Sequence, residues 1–338
     1  MKQFLDRLQL GLRFRFFVVG LFLIGSLLAL FVAKGATITR AQNPAVVHTL
    51  ATFSATQNEH AENVAVASDG TIYVTLHNAA AVWVRQPDGT TLRIPFPKPA
   101  NLITRVNGIV ITGEQEAVVA VLSQDASIAG VWRINDDHSI ERIVSLPSNA
   151  SPNGMARDSA GNLYIADDLL GCIWRVVPGS STAEVWSQSV LLNRNTASGV
   201  VPYGADGIKV FKGVLFVSNP SQSTIVRIPI CSNGAAGSPE VQWSGPAFSN
   251  SDDFAFDVQG DLYVANILDQ TITRVDQEGH VSTFLEQSDG LNYPTAVAFG
   301  RQGADKLNLY ITNGAFNPQY PEGSLQQTTV DVPGYVVH

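Results

Sequence analysis

Six polar residues recur along the chain at a spacing of roughly 45 residues: Glu62, Asn107, Asn153, Asp206, Asp252 and Thr295. Each opens a similar passage, with an alternating run, a turn usually built around glycine, and a second apolar run. "NGMARDSAGNLYIAD" from Asn153 and "DDFAFDVQGDLYVAN" from Asp252 show the frame most clearly. A single Asp or Asn at a loop-to-strand junction is ordinarily a turn residue. Three carboxylates at one repeat position are another matter. Brought around a common axis, they repel one another and suffer desolvation unless positive charge sits among them. The ring contains no Cys and no His, so its donors are all oxygen. Such a set suits a hard divalent cation, calcium before magnesium because the ring is large and mixed. The ion would brace the channel or serve catalysis; the residue types leave both open.

The elements that must position these residues follow from the same repeat. After the second run comes a third, as in "AVWVRQP", "GVWRIND" and "CIWRVVP", and then a fourth, as in "TLRIPF" and "IERIVSL". The runs alternate with period two, and Gly, Asp-Gly and Pro-Gly pairs punctuate them. No long amphipathic helix follows residue 45. Six four-stranded repeats predict an all-β, six-bladed β-propeller over residues 46–338, in which the first strand of every blade lines a central channel. The sixth copy lacks a fourth strand before the chain ends. "VVHTLATFS", Val46–Ser54, is expected to supply it beside residues 324–332, leaving no open edge. Trp83, Trp132 and Trp174 align in third strands and are expected to pack between blades. Cys172 and Cys231 fall at opposite ends of their blades and are expected to be free thiols.

Residues 1–33 are a separate object. Lys2, Arg7, Arg13 and Arg15 precede an uncharged run, Phe16–Ala33, which is at the short end of the ~17–25 residues that span a bilayer as a helix. The expectation is an N-terminal hydrophobic helix acting as a signal peptide or a transmembrane anchor, with the remainder exported: secreted, periplasmic or held at the outer face of the membrane. Residues 34–45 read as a linker. A formal net charge of -8 argues against a nucleic-acid partner. A monomer is expected.

The stretches "AENVAV", "SPNGMARDSAGNLYIADD", "GADGIKV" and "SDDFAFDVQGDLYVAN" together resemble the SMP-30/gluconolactonase family of six-bladed propellers, which shades into strictosidine-synthase-like proteins. The resemblance spans roughly residues 46–320. It implies one divalent cation, usually calcium, at the channel mouth. Glu62 and Asp252 match the family's liganding Glu and Asp, Asp206 stands where the family commonly has an Asn, and Asn153 matches an Asn on the substrate side of the metal. It also implies hydrolysis of a lactone or ester, with Asp252 as the candidate base. Two departures bear on aldonolactones: "DG" of the fifth repeat is Asp252-Asp253, and Ser151 stands where sugar lactonases often carry Arg.

Other residues belong near the same mouth. His60 and His77 flank Glu62 in the first repeat and have a pKa suited to base work, although loop histidines are usually solvated rim residues. Asp167, Asp168, Asn219, Asn266 and Asn313 end second strands, and with Asn107 and Asn153 they would make a polar pocket for a small oxygen-rich molecule. The long link Val190–Ala205 enters the ring at Asp206. The competing function is a noncatalytic extracellular β-propeller whose cation is structural.

Overall fold

The computed structural model describes residues 39–40, 46–113, 116–197, 201–336. The segment Phe16–Ala33 lies outside them, and among the described residues no helix is long and apolar enough to cross a membrane. The strands form six sheets of four, arranged as six blades of a β-propeller; Thr39–Arg40 adds a short fifth strand to blade 5.

Alternation decides which residues go inside. Apolar side chains of neighbouring blades meet in six clusters, one per blade interface. In blades 1 and 2, for example, Tyr73 and Val82 pack with Val106 and Val119, all nearly inaccessible to water. Each fully buried Val, Leu or Ile side chain contributes roughly 1.5–3 kcal/mol by leaving water. The third-strand tryptophans take part unevenly. Trp83 meets Phe53 of blade 6 edge-on at 5.4 Å, and Trp132 meets Phe96, just past blade 1, at 5.8 Å. Trp174 packs, partly buried, against the cluster between blades 2 and 3 and also donates its indole N–H to Asp167 within its own blade, at 2.9 Å.

The ring closes as its repeat pattern requires. His48–Ser54 pairs antiparallel with Glu322–Thr329, in a register that sets Thr52 opposite Ser324. This strand is the missing outer strand of blade 6, and Phe53 on it completes the cluster with blade 1. Cys172 is buried, Cys231 is exposed, and both are free.

One irregularity positions the polar ring. In blades 1, 2, 3, 5 and 6 the ladder between first and second strands slips by a residue where the ring residue falls. In blade 1, Ala61 pairs with Leu76 and Val64 with Val74, so Glu62 and Asn63 together face Thr75 alone. Such a bulge breaks the alternation and re-aims a side chain. Hydroxyls repair the broken ladder: Thr75 accepts from the N–H of Asn63 at 2.9 Å, and Ser218 from that of Gly207 at 2.8 Å. Glycine follows the ring residue in blades 2, 3 and 4 because the next blade's carbonyl lies against it. A Cβ on Gly108 would sit 2.2 Å from the Asn153 oxygen, and one on Gly154 2.6 Å from that of Asp206.

Candidate active site at the upper channel mouth

The bulges open into a cavity of about 860 Å³ at one end of the channel, here the upper end. Glu62, Asn107, Asn153, Asp206 and Asp252 all line it. Thr295 does not: its hydroxyl donates to the Ala61 carbonyl at 3.0 Å and ties blade 6 to blade 1. Two further charged groups share the walls, Asp168 and Arg105.

The carboxylates are crowded and poorly solvated. Glu62 and Asp206 are buried, while Asp252 keeps part of its surface open to the cavity. Burial pushes Glu62 up to about 7, with Asp168 and Asp253 adding to the rise and Arg105 opposing it. Asp206 is pushed well above the usual carboxylate range by burial and by the charges of Asp168 and Glu62. Asp252 is raised in the same way, first by burial and then by Asp206 and Glu62. Burial also lifts Asp168 to about 6. Oδ1 of Asp206 is fully enclosed and has no hydrogen-bond partner among the described residues.

That donor set fits a hard dication. A bound cation would supply the partner that Asp206 lacks and lower every one of these raised values. The spacing is looser than a closed coordination shell. Among the described residues, the acidic, His or Cys ligand atoms that gather as a trio within 4.8 Å belong to Asp276, Glu278 and His280. These sit on a turn of blade 5, where Glu278 and His280 are exposed.

The two histidines take different places. His77 lines the cavity. Asn107 Nδ2 donates to the Pro152 carbonyl at 2.8 Å, so its Oδ1 faces His77 Nδ1 at 2.7 Å. Nδ1 therefore carries the proton, and Nε2 is left as an acceptor. Burial, then the Arg105 charge, lowers His77 to about 3, so it is neutral and weakly basic at neutral pH. His60 lies outside the cavity lining; it stacks on Phe316 at 4.9 Å and its Nδ1 meets the Gly314 carbonyl at 2.8 Å.

Most of the strand-end residues do not make the pocket polar, because backbone groups or neighbouring side chains engage them first. Asn219 donates to the Leu191 and Asn193 carbonyls and accepts from Gln222 N–H, anchoring the long link before Asp206 instead of facing substrate. Asp167 accepts from the N–H groups of Ser151, Leu169 and Leu170. Asn266 bonds Thr273, and Asn313 bonds Ser324 and Gln326. Of this set only Asp168 lines the cavity. The upper walls are apolar instead: Tyr203, Leu268 and Phe316 line them and remain 48%, 55% and 38% exposed.

Sequence alone does not single out Arg105. The signal is present in "TRVNG", where Arg105 precedes Asn107 by two residues and shares its strand face. Its Nε is buried without a partner among the described residues.

Beneath the ring lies an ion pair. Asp253, 1% exposed, receives the ammonium of Lys209 and the amide of Asn63, the latter at 3.0 Å. The second Asp of the "DD" pair thus faces away from the ring and is neutralised from blade 4.

No protein-family model matches the sequence, and no curated protein sequence matches it. Solved structures do match the fold. Regucalcin, a calcium-binding protein from Agrobacterium tumefaciens, superposes with a TM-score of 0.65 at 14% identity, over 88% of this chain and 98% of its own. A luciferin-regenerating enzyme gives 0.63 at 14% identity, over 85% and 98%. A gluconolactonase from Xanthomonas campestris gives 0.60 at 15%, over 88% and 97%. At these identities the likeness is one of fold, the six-bladed propeller, and no more. Function rests on the site.

Proposed function

We propose that the chain is a hydrolase of lactones or esters, with one divalent cation, calcium by preference, held among Glu62, Asp206, Asp252 and Asn153. The observation that carries this is the enclosed, unpartnered Asp206 oxygen in a cavity shared with three other carboxylates. The lactonase and calcium-binding names among the structural neighbours agree with it. When bound, the cation polarises the substrate carbonyl. The chain's own groups do the rest. Arg105 and the Asn153 amide donate to substrate oxygens, and Asn107 holds His77 in one tautomer. Asp252 is assigned the proton of the attacking water. Asp168, near 6, is the alternative acceptor.

The apolar rim favours an ester or lactone with an apolar arm over a sugar lactone. Export follows from the basic head and uncharged run of residues 1–33. The test is a panel of lactones and aryl esters of increasing acyl length, assayed on the full chain with and without chelator. Chelator-sensitive hydrolysis that rises with acyl length is expected. Absence of activity on every substrate would leave the noncatalytic binding module, which Ser151, standing where sugar lactonases often carry Arg, favours. Asp252→Asn and Asp168→Asn separate the two acceptors: only loss of the true base keeps kcat low at saturating calcium.

A further inference from the structure

The lower end of the channel holds a second cavity, of about 180 Å³, which shares no lining residue with the cavity at the ring. Its walls are apolar side chains of the inner strands, among them Val66, Ile111 and Phe299. One side is formed by Tyr335 and Val336. Gly334 N–H donates to the Lys306 carbonyl at 2.9 Å, Tyr335 N–H to that of Phe256 at 2.8 Å, and the Tyr335 ring meets Phe211 edge-on at 4.7 Å. The charges on this cavity are of one sign. Arg157 of blade 3 and Arg301 of blade 6 both line it, together with Lys209. Lys209 is neutralised by Asp253.

The two arginines are not. Elsewhere, Arg93, Arg175 and Arg274 each meet a carboxylate. Among the described residues neither the Arg157 nor the Arg301 side chain makes a hydrogen bond or an ion pair. Both are half-buried. Burial, and then repulsion from Arg157, lowers the Arg301 guanidinium from its usual value. Two like charges facing one small, mostly apolar space are unfavourable unless an anion lies between them. Guanidinium forks match the planar carboxylate and the phosphate group, and they reach each by paired N–H donors.

We propose that the lower mouth is an oxyanion site in which Arg157 and Arg301 together hold one small carboxylate or phosphate. The site is independent of the hydrolytic assignment, since it shares no lining residue with the acidic cavity. It gives the molecule two ligand sites of opposite charge preference on one axis.

The test is calorimetric titration of the full-length chain with sodium acetate and, separately, with sodium phosphate. It is run at low ionic strength without divalent cations, with sodium chloride at matched ionic strength as control. Saturable binding of acetate or phosphate is expected, and the tighter of the two names the ligand class. Arg157→Gln and Arg301→Gln should each weaken it roughly tenfold or more, the loss of a charged hydrogen-bonding partner. Arg301→Lys should recover part of the loss. Because each Gln variant removes a repulsive charge, it should melt no lower than the parent in anion-free buffer, which separates lost binding from lost fold. Heats that match those of sodium chloride, or binding that both Gln variants retain in full, would overturn the proposal.

Discussion

The same inner strands build both ends of the channel, yet the ends differ in charge and in order. At the upper end the ladder slips in five blades, and the slip turns Glu62, Asn107, Asn153 and Asp252 into the cavity. A few residues further the ladder is regular, Val64 opposite Val74 and Val66 opposite Ile72, and the strands present apolar walls with two arginines. One extra residue per strand therefore converts an apolar tube into an acidic mouth. Between them lies a partition-like ion pair, Lys209 with Asp253, joined by the amide of Asn63.

Breaking that pair should have the largest effect. Lys209→Met leaves the Asp253 carboxylate buried without its counter-charge, and a loss of about 3–5 kcal/mol is expected in chemical denaturation. The double variant Lys209→Met/Asp253→Asn should recover much of it. Full loss in both would mean that the pair matters through packing and not through charge.

The upper end can be tested through its own repulsion. Glu62 is held up at about 7 against an ordinary 4.5, and Asp168 at about 6 against 3.8. Acids raised in the folded state favour folding while protonated, so their contribution is present at low pH and is lost as pH rises from about 4 through 7. Cation-free protein should melt progressively lower across that window. Calcium should reverse the trend, by about 2.7 kcal/mol at a hundredfold excess over Kd. Asp206→Asn should flatten both responses. A calcium shift that is equal in parent and variant would remove Asp206 from the cation site.

Gly154→Ala tests whether the bulges are locked together. Its Cβ would press on the Asp206 carbonyl at 2.6 Å, and a cost of about 1–3 kcal/mol is expected from overpacking. Weakened calcium binding should accompany it, because the displaced carbonyl belongs to a ring residue. The smallest effect is expected at the rim. Tyr203→Ser removes apolar surface that is already half exposed. It should lower kcat/KM for long-chain esters by roughly tenfold, about 1.4 kcal/mol, and leave short-chain esters nearly unchanged. Equal losses on both would show that Tyr203 acts on the chemistry and not on substrate choice.

Much of this arrangement is legible in the sequence, and the illegible part has a common cause. The ring positions and the closure by Val46–Ser54 depend on period and order, which repeats display directly. The fate of Asn219, Asn266 and Asn313 depends on which carbonyls and side chains lie opposite, and nothing local distinguishes a strand-end amide that faces a pocket from one that bonds a loop or a neighbouring strand. Arg105, Lys209 and Arg301 escape for a related reason. Each acts on a group in another blade, 44 residues away in the case of Lys209 and Asp253. The fifth repeat's second Asp looks like an added ligand until its partner is known.

The closure of blade 6 also has a consequence in time. The contact between the Val46 carbonyl and the Thr328 hydroxyl joins positions 282 residues apart. A ribosome adding ~5–20 residues per second needs roughly 15–60 s to traverse that interval. Throughout it the segment His48–Ser54 has no partner strand, because Glu322–Thr329 has not yet been made. Blades 1 to 5 each take their four main strands from consecutive sequence and can form in order. The circle shuts only at the end, and until then the nascent chain carries an open β-edge that a second nascent copy could capture.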